Sequence, residues 1–179
     1  LVLGLDTCLN ACSAAVLDGD TVLAHAYEPM SRGHQERLAT LVRDVTAEAG
    51  VAFDQLERIG ATVGPGSFTG LRVGVAFAKG LGSALGVPAV GVGTLEALAA
   101  EARGLVAAAI DARRDQIYLQ VFDEGSAVMA PDALSTGTAA ARVVEIANGR
   151  ALTLVGSGGP LLAAAALEGR QPARRAAEV

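Results

Sequence analysis

Tryptophan is absent from this 179-residue chain, aromatic residues make up only 3% of it, and there are just two cysteines and two histidines. Each scarcity excludes something. Two cysteines cannot build a disulfide framework, and Cys8 and Cys12 have neither the spacing of a redox CxxC pair nor that of half a zinc site, so both are expected as small buried hydrophobes. His25 and His34 stand nine positions apart, on a predicted strand and at a predicted helix start, without the spacing that puts two imidazoles on one helical face. No metal site is expected from them, and His34 is read as a polar group at the helix entrance. No apolar run reaches the roughly 18 residues of a membrane helix, and no basic segment with a cleavage site opens the chain. The expectation is a soluble, cytoplasmic protein without membrane contact.

What is present is a core of small aliphatics. Apolar residues make up 51% of the chain, which with so few aromatics implies tight packing of Ala, Val and Leu. The 14 Lys and Arg against 19 Asp and Glu leave a formal charge of −5. That balance argues against a protein that grips nucleic acid alone through its phosphates. If RNA is involved, something else is expected to hold it.

Hydrophobic periodicity predicts strands over 1–6, 12–17 and 21–27, a helix over 34–49, a strand over 58–63 and a helix over 70–85. A short helix through Ala102 follows. A second cycle then places strands at 105–110, 116–122 and 126–129, a helix over 138–147, a strand over 152–155 and a helix over 160–167. The order strand, strand, strand, helix, strand, helix occurs twice. It predicts an α/β fold of two similar lobes, 1–93 and 94–179, facing each other across a cleft.

Between the strand at 58–63 and the helix after it lies Gly64-Pro65-Gly66-Ser67-Phe68-Thr69-Gly70-Leu71-Arg72-Val73-Gly74. Pro65 restricts one dihedral and the glycines permit conformations closed to other residues, so this turn is specified. It lacks the lysine of a phosphate-binding P-loop. Position 65 is proline and position 69 threonine, so Ser67 does not sit in the Gly-x-Ser-x-Gly of a nucleophile elbow. Three readings stand: a structural connection, an anion site at the helix start, or a partner contact. Phe68 is either a plug for the core, the default, or an anchor on another protein.

Along the next helix Gly70, Gly74, Ala78, Gly82 and Gly86 recur every fourth residue beside Leu71, Val75 and Leu85. Each interior glycine costs about 1 kcal/mol relative to alanine, so the stripe requires a close backbone neighbour. That neighbour is either within the chain or in another molecule, and the helix carrying Leu38, Leu41, Val42 and Val45 is the candidate in both cases. Asp6 and Asp111 each end the first strand of a predicted lobe, where paired carboxylates of two-lobed phosphotransferases hold a metal nucleotide. Neither is followed by glycines that would fold amides around a phosphate. Gly156-Ser157-Gly158-Gly159 before the last helix is weak evidence for a ribose or adenosine contact.

The glycine-rich run, the opening Leu-Gly-Leu-Asp-Thr, the Ala-Cys-Ser-Ala-Ala-Val segment, Gly-His-Gln-Glu-Arg-Leu and Ile-Asp-Ala-Arg-Arg-Asp-Gln-Ile-Tyr together resemble the TsaB (YeaZ) family over about residues 1–160. The resemblance implies the two-lobed fold shared by actin, Hsp70 and sugar kinases. It also implies a non-catalytic subunit in tRNA threonylcarbamoyladenosine (t6A) modification, supporting the homologous TsaD transferase and joined by the ATPase TsaE. Further implied are homodimers when the partner is absent, tRNA met only through the complex, and ATP or ADP bound only in the assembly, with no cofactor in the isolated subunit. Carried over from the family, the first two helices form the dimer interface. The resemblance thus assigns Leu38, Leu41, Val42, Val45, Gly70, Leu71, Gly74, Val75 and Ala78 to a partner surface, next to the turn residues Gly64 to Thr69 and Arg72. Family members continue beyond Val179, so the second lobe is expected to be incomplete. The competing reading is an active ATP-dependent phosphotransferase or ATPase of the same fold.

Overall fold

The computed structural model describes residues 1–168, so Arg174 and Arg175 at the end of the expected second lobe lie outside the described residues. The chain divides into two units, Leu1–Ala97 and Leu98 onward. The division falls a few residues beyond the expected 93/94 boundary.

In the first unit β1 (Val2–Asp6), β2 (Ala11–Asp18) and β3 (Thr21–Pro29) form an antiparallel meander. Helix α1 (His34–Glu48) and a single 3-10 turn at Phe53–Gln55 lead to β4 (Arg58–Thr62), which pairs parallel with β1. Helix α2 (Phe68–Leu85) then leads to β5 (Ala89–Val92), parallel to β4. The sheet order is β3-β2-β1-β4-β5. The short α3 (Thr94–Ala99) follows.

The second unit repeats the plan. Strands β6 (Leu105–Arg113), β7 (Gln116–Asp123) and β8 (Ser126–Ser135) form the meander, α4 (Thr136–Ala147) crosses to β9 (Leu152–Val155), parallel to β6, and α5 (Gly159–Glu168) follows. Its order is β8-β7-β6-β9. The central β6 is buried from Leu105 to Ile110, as a strand covered on both faces requires.

The small-residue composition explains how α1 and α2 sit on the first sheet. Leu38, Leu41, Val42 and Val45 of α1, each about 1% exposed, join Leu3, Val16 and Ile59 of the sheet in one apolar cluster. Five to ten such buried side chains supply on the order of 1.5–3 kcal/mol each. Helix α2 packs differently, backbone against backbone. A Cβ on Gly70 would lie 1.8 Å from the Thr7 carbonyl oxygen, one on Gly74 would lie 2.5 Å from Thr7 Oγ1, and one on Gly82 would lie 2.9 Å from the Val87 carbonyl oxygen. Ala78, 2% exposed, completes the row.

These contacts correct the expected partner interface. Leu41, Val42, Val45, Gly70, Gly74 and Ala78 are buried in their own unit and present no surface to a second molecule, and Leu38, about 1% exposed, lies at the bottom of a groove. Nor is α1 the close neighbour of the glycine stripe. The stripe meets the β1–β2 turn and the segment before β5, because absent side chains let the helix axis settle directly on the strand ends.

Candidate functional site

The glycine-rich turn is fixed by β1. Cys8 and Thr7 follow Asp6 and lie beneath the start of α2: the Ser67 amide donates to the Cys8 carbonyl at 2.7 Å, and Thr7 Oγ1 donates to the Gly70 carbonyl at 2.7 Å. Gly66 is required here, since a Cβ would come 2.4 Å from the Cys8 carbonyl oxygen. Ser67 caps α2, its Oγ accepting from the Gly70 amide at 3.3 Å. Gly64 has a φ of 98°, in the left-handed region that favours glycine, and its carbonyl accepts from the Thr94 amide. Pro65 lies half-buried between them.

The rigid turn aims one aromatic outward. Phe68 is 68% exposed, so the core-plug reading is overturned. The Arg72 guanidinium lies 3.9 Å from the centroid of the Phe68 ring, a cation–π contact between residues one helical turn apart. Beside this pair a groove of about 430 Å³ opens between α1 and α2, floored by Leu38 and walled by Gln35, Thr69, Val73, Ala76 and Phe77. Of the expected interface residues, Leu71 and Val75 are half-buried on the flanks of α2. Gln35, Val73, Ala76 and Phe77 were missed by the sequence reading. Their signal was the run Phe68, Arg72, Ala76 at helical spacing, offset from the glycine stripe that drew attention.

Arg72 and Lys79 are the charged residues of α2, whereas α1 carries Glu36, Arg37, Arg43, Asp44 and Glu48. Arg37 on α1 is held by Glu28 of β3, with Nε to Oε2 at 2.6 Å. That hydrogen bond and the guanidinium charge pull the Glu28 carboxyl below the usual glutamate range. His34, 9% exposed, donates from Nε2 to the Ala11 carbonyl at 3.1 Å and ties the start of α1 to β2. His25 stands exposed on β3.

Asp6 and Asp111 each accept hydrogen bonds from neighbouring groups of the chain. Asp6 Oδ1 accepts from Thr62 Oγ1 at 2.5 Å and from the Cys8 amide at 3.2 Å. Asp6 also lines a cavity of about 460 Å³ together with Gly4, Gly60, Thr62, Val92 and Ala97. Asp111 Oδ1 accepts from the Arg113 amide at 2.8 Å. Cys8 and Cys12 are free and buried. Burial pushes both thiols up from their ordinary value, offset in part for Cys8 by the Thr62 hydroxyl, so neither is poised as a thiolate. Among the described residues no group of three or more His, Cys, Asp and Glu is placed to hold a metal ion, and no helix is long and apolar enough to cross a membrane.

Comparison with known proteins gives this surface its context. The family model described as TsaD, tRNA N6-adenosine threonylcarbamoyltransferase, matches residues 26–176. The chain is 37% identical over 122 residues to the tRNA threonylcarbamoyladenosine biosynthesis protein TsaB of Escherichia coli, covering 65% of this chain and 52% of that one. It therefore spans about half the length of the curated relatives it matches. Among solved structures it resembles YeaZ from Pseudomonas aeruginosa, with a TM-score of 0.65 and 36% identity over 75% of this chain and 66% of that one. A second structure from that organism, described as similar to peptidase YEAZ, has a TM-score of 0.70 and 30% identity over 93% and 90% of the two chains. The fold is the α/β class of these YeaZ structures, as expected. The chain belongs to the TsaB (YeaZ) family, within the group that the tRNA N6-adenosine threonylcarbamoyltransferase model describes.

Proposed function

We propose that this chain is a non-catalytic binding subunit in tRNA threonylcarbamoyladenosine biosynthesis, docking a TsaD-type transferase through the exposed faces of α1 and α2. The observation that carries the reading is the Phe68–Arg72 pair beside the α1–α2 groove, an aromatic anchor presented on a turn that the core holds rigid. Aromatic and arginine side chains next to a desolvatable pocket are the composition of interface hot spots. Both helices carry exposed charge, Arg72 and Lys79 on α2 and residues of both signs on α1, so the same surface can meet a second copy as well as the transferase. A homodimer therefore forms through it when the transferase is absent.

In this role the chain makes and breaks no bonds. Asp6 engages Oδ1 with Thr62 and Cys8, and ATP or ADP enters only with the assembled complex, which the TsaE-type ATPase joins. The support for placing it in this process is the name borne by its TsaB relatives and the transferase model that matches most of the chain.

Mixing the purified chain with the TsaD-type transferase from the same source, followed by gel filtration with light scattering, tests the reading. Expected is a stable complex that displaces the homodimer and is weakened at least ten-fold by Phe68→Ala. A chain that forms no complex, or that alone hydrolyses magnesium ATP with turnover abolished by Asp6→Asn, overturns it.

A further inference from the structure

The groove between α1 and α2 is apolar apart from a single charge. Leu38, Val73, Ala76 and Phe77 give it aliphatic and aromatic walls, and Arg72 is the one charged residue among those described that line it. The chain as a whole has a formal charge of −5, yet α2 holds Arg72 and Lys79 and no carboxylate. The sign of the charge is locally reversed on this helix.

Arg72 is exposed and, among the described residues, makes no ion pair, whereas Arg43 and Arg150 hold carboxylates at 2.9 and 2.7 Å. Its neighbour is the Phe68 ring, whose centroid lies 3.9 Å from the guanidinium carbon. A ring takes up a face of the guanidinium, while the N–H donors lie in its plane, so this contact leaves the fork unspent. It also restricts the long side chain, which lowers the ordering cost of a two-pronged hydrogen bond. The backbone beneath is fixed as well, with Ser67 capping the helix and Thr7 holding the Gly70 carbonyl. An ordered cation with free donors beside an apolar groove is complementary to one kind of group, a carboxylate carried next to an apolar side chain.

Resting on the docking reading above, we infer that Arg72 receives an Asp or Glu side chain of the TsaD-type transferase, and that an apolar side chain beside that acid fills the groove over Leu38. This pair sets the choice of partner. A second copy is the poorer occupant, because its α2 brings Arg72 and Lys79 with no carboxylate. Of the acids on its α1, Asp44 is already held by Arg43 at 2.9 Å and Arg37 at 3.7 Å, which leaves Glu36 and Glu48 at the two ends of that helix. One charge thus discriminates between the homodimer and the complex that share the surface.

The test measures affinity for the purified transferase by titration calorimetry and self-association by sedimentation, with circular dichroism to score folding. Arg72→Glu is expected to stay folded, to lose about ten-fold or more in transferase affinity, and to leave the homodimer within about three-fold. Arg72→Lys keeps the charge without the fork and is expected to fall between wild type and Arg72→Glu. Lys79→Glu makes the same change of net charge outside the groove and is expected to cost less than about three-fold, which separates a paired charge from general attraction. Added salt is expected to weaken the wild-type complex more steeply than that of Arg72→Gln. Reversal of one transferase Asp or Glu to Arg is expected to restore binding to Arg72→Glu, a rescue that a role confined to positioning Phe68 does not give. Full transferase affinity of Arg72→Glu, with Phe68→Ala still weak, overturns the inference and leaves the docking reading standing. So does a homodimer that Arg72→Glu weakens as much as the complex. A wild-type chain that forms no complex at all overturns the docking reading itself, and this inference with it.

Discussion

Thr7 and Gly70 are in contact at the limit of what backbones allow: the Thr7 hydroxyl donates to the Gly70 carbonyl at 2.7 Å, and no side chain fits between the two residues. Gly70→Ala places a methyl 1.8 Å from the Thr7 carbonyl oxygen. Overpacking of this kind against backbone is expected to cost about 3 kcal/mol or more, a large part of the total stability of a small domain. Gly80, on the same helix with nothing within 4 Å of an added Cβ, gives the opposite sign. Gly80→Ala is expected to stabilise by up to about 1 kcal/mol. Urea denaturation of the two variants checks both, and equal effects would show that the stripe is not tightly packed.

Partner affinity and fold stability are expected to separate at α1 and α2. Phe68→Ala removes an exposed ring and is expected to leave Tm within a few degrees while weakening association by about 2 kcal/mol. Leu38→Glu buries a charge at a site 1% exposed and is expected to unfold the first unit outright. Circular dichroism paired with light scattering distinguishes the two outcomes. A folded Leu38→Glu monomer would return that residue to the interface.

Stability should have a shallow acid limb through Glu28. Its carboxyl is held below the usual glutamate value, near 4.3, by the Arg37 hydrogen bond. The folded form binds its proton less readily than the unfolded form. The contribution is therefore present above about pH 4.3 and is lost as pH falls through the depressed folded value. Denaturant midpoints of wild type and Glu28→Gln, measured from neutral pH downward, are expected to converge as the carboxyl protonates. A constant gap at every pH would show that the Arg37 contact is not electrostatic.

Both cysteines are expected to ignore thiol reagents in the folded state. Cys8 is 1% and Cys12 0% exposed, and burial raises both thiols. Ellman's reagent at mildly alkaline pH should titrate neither until denaturant is added, then both. Rapid reaction of Cys8 in the native protein would mean that the β1–β2 turn opens under the helix.

The element order was legible because the periodicities are strong: α1 and β9 were placed to within a residue. Strand β5 was overlooked, since Ala89-Val90-Gly91-Val92 is four residues long, contains a glycine and lies at an edge without alternation. Strand β8 was read only to Met129 because Pro131 and Asp132 break the pattern where its register against β7 also shifts. At the site, the glycine turn announced itself but its direction did not. A small residue every fourth position on a helix looks the same whether it faces another molecule or the chain's own strand ends. Only the position of Thr7, sixty-three residues earlier, decides which face remains for Phe68 and Arg72.

Because Phe68 opens the helix whose opposite side is clamped to Thr7 and Cys8, the backbone that carries its ring is held in place before any encounter. Little motional freedom is surrendered on capture. Damage deep in the sheet would then be felt at the surface: a looser Thr7 need not melt the protein to blur where the aromatic points, and would emerge first as faster dissociation.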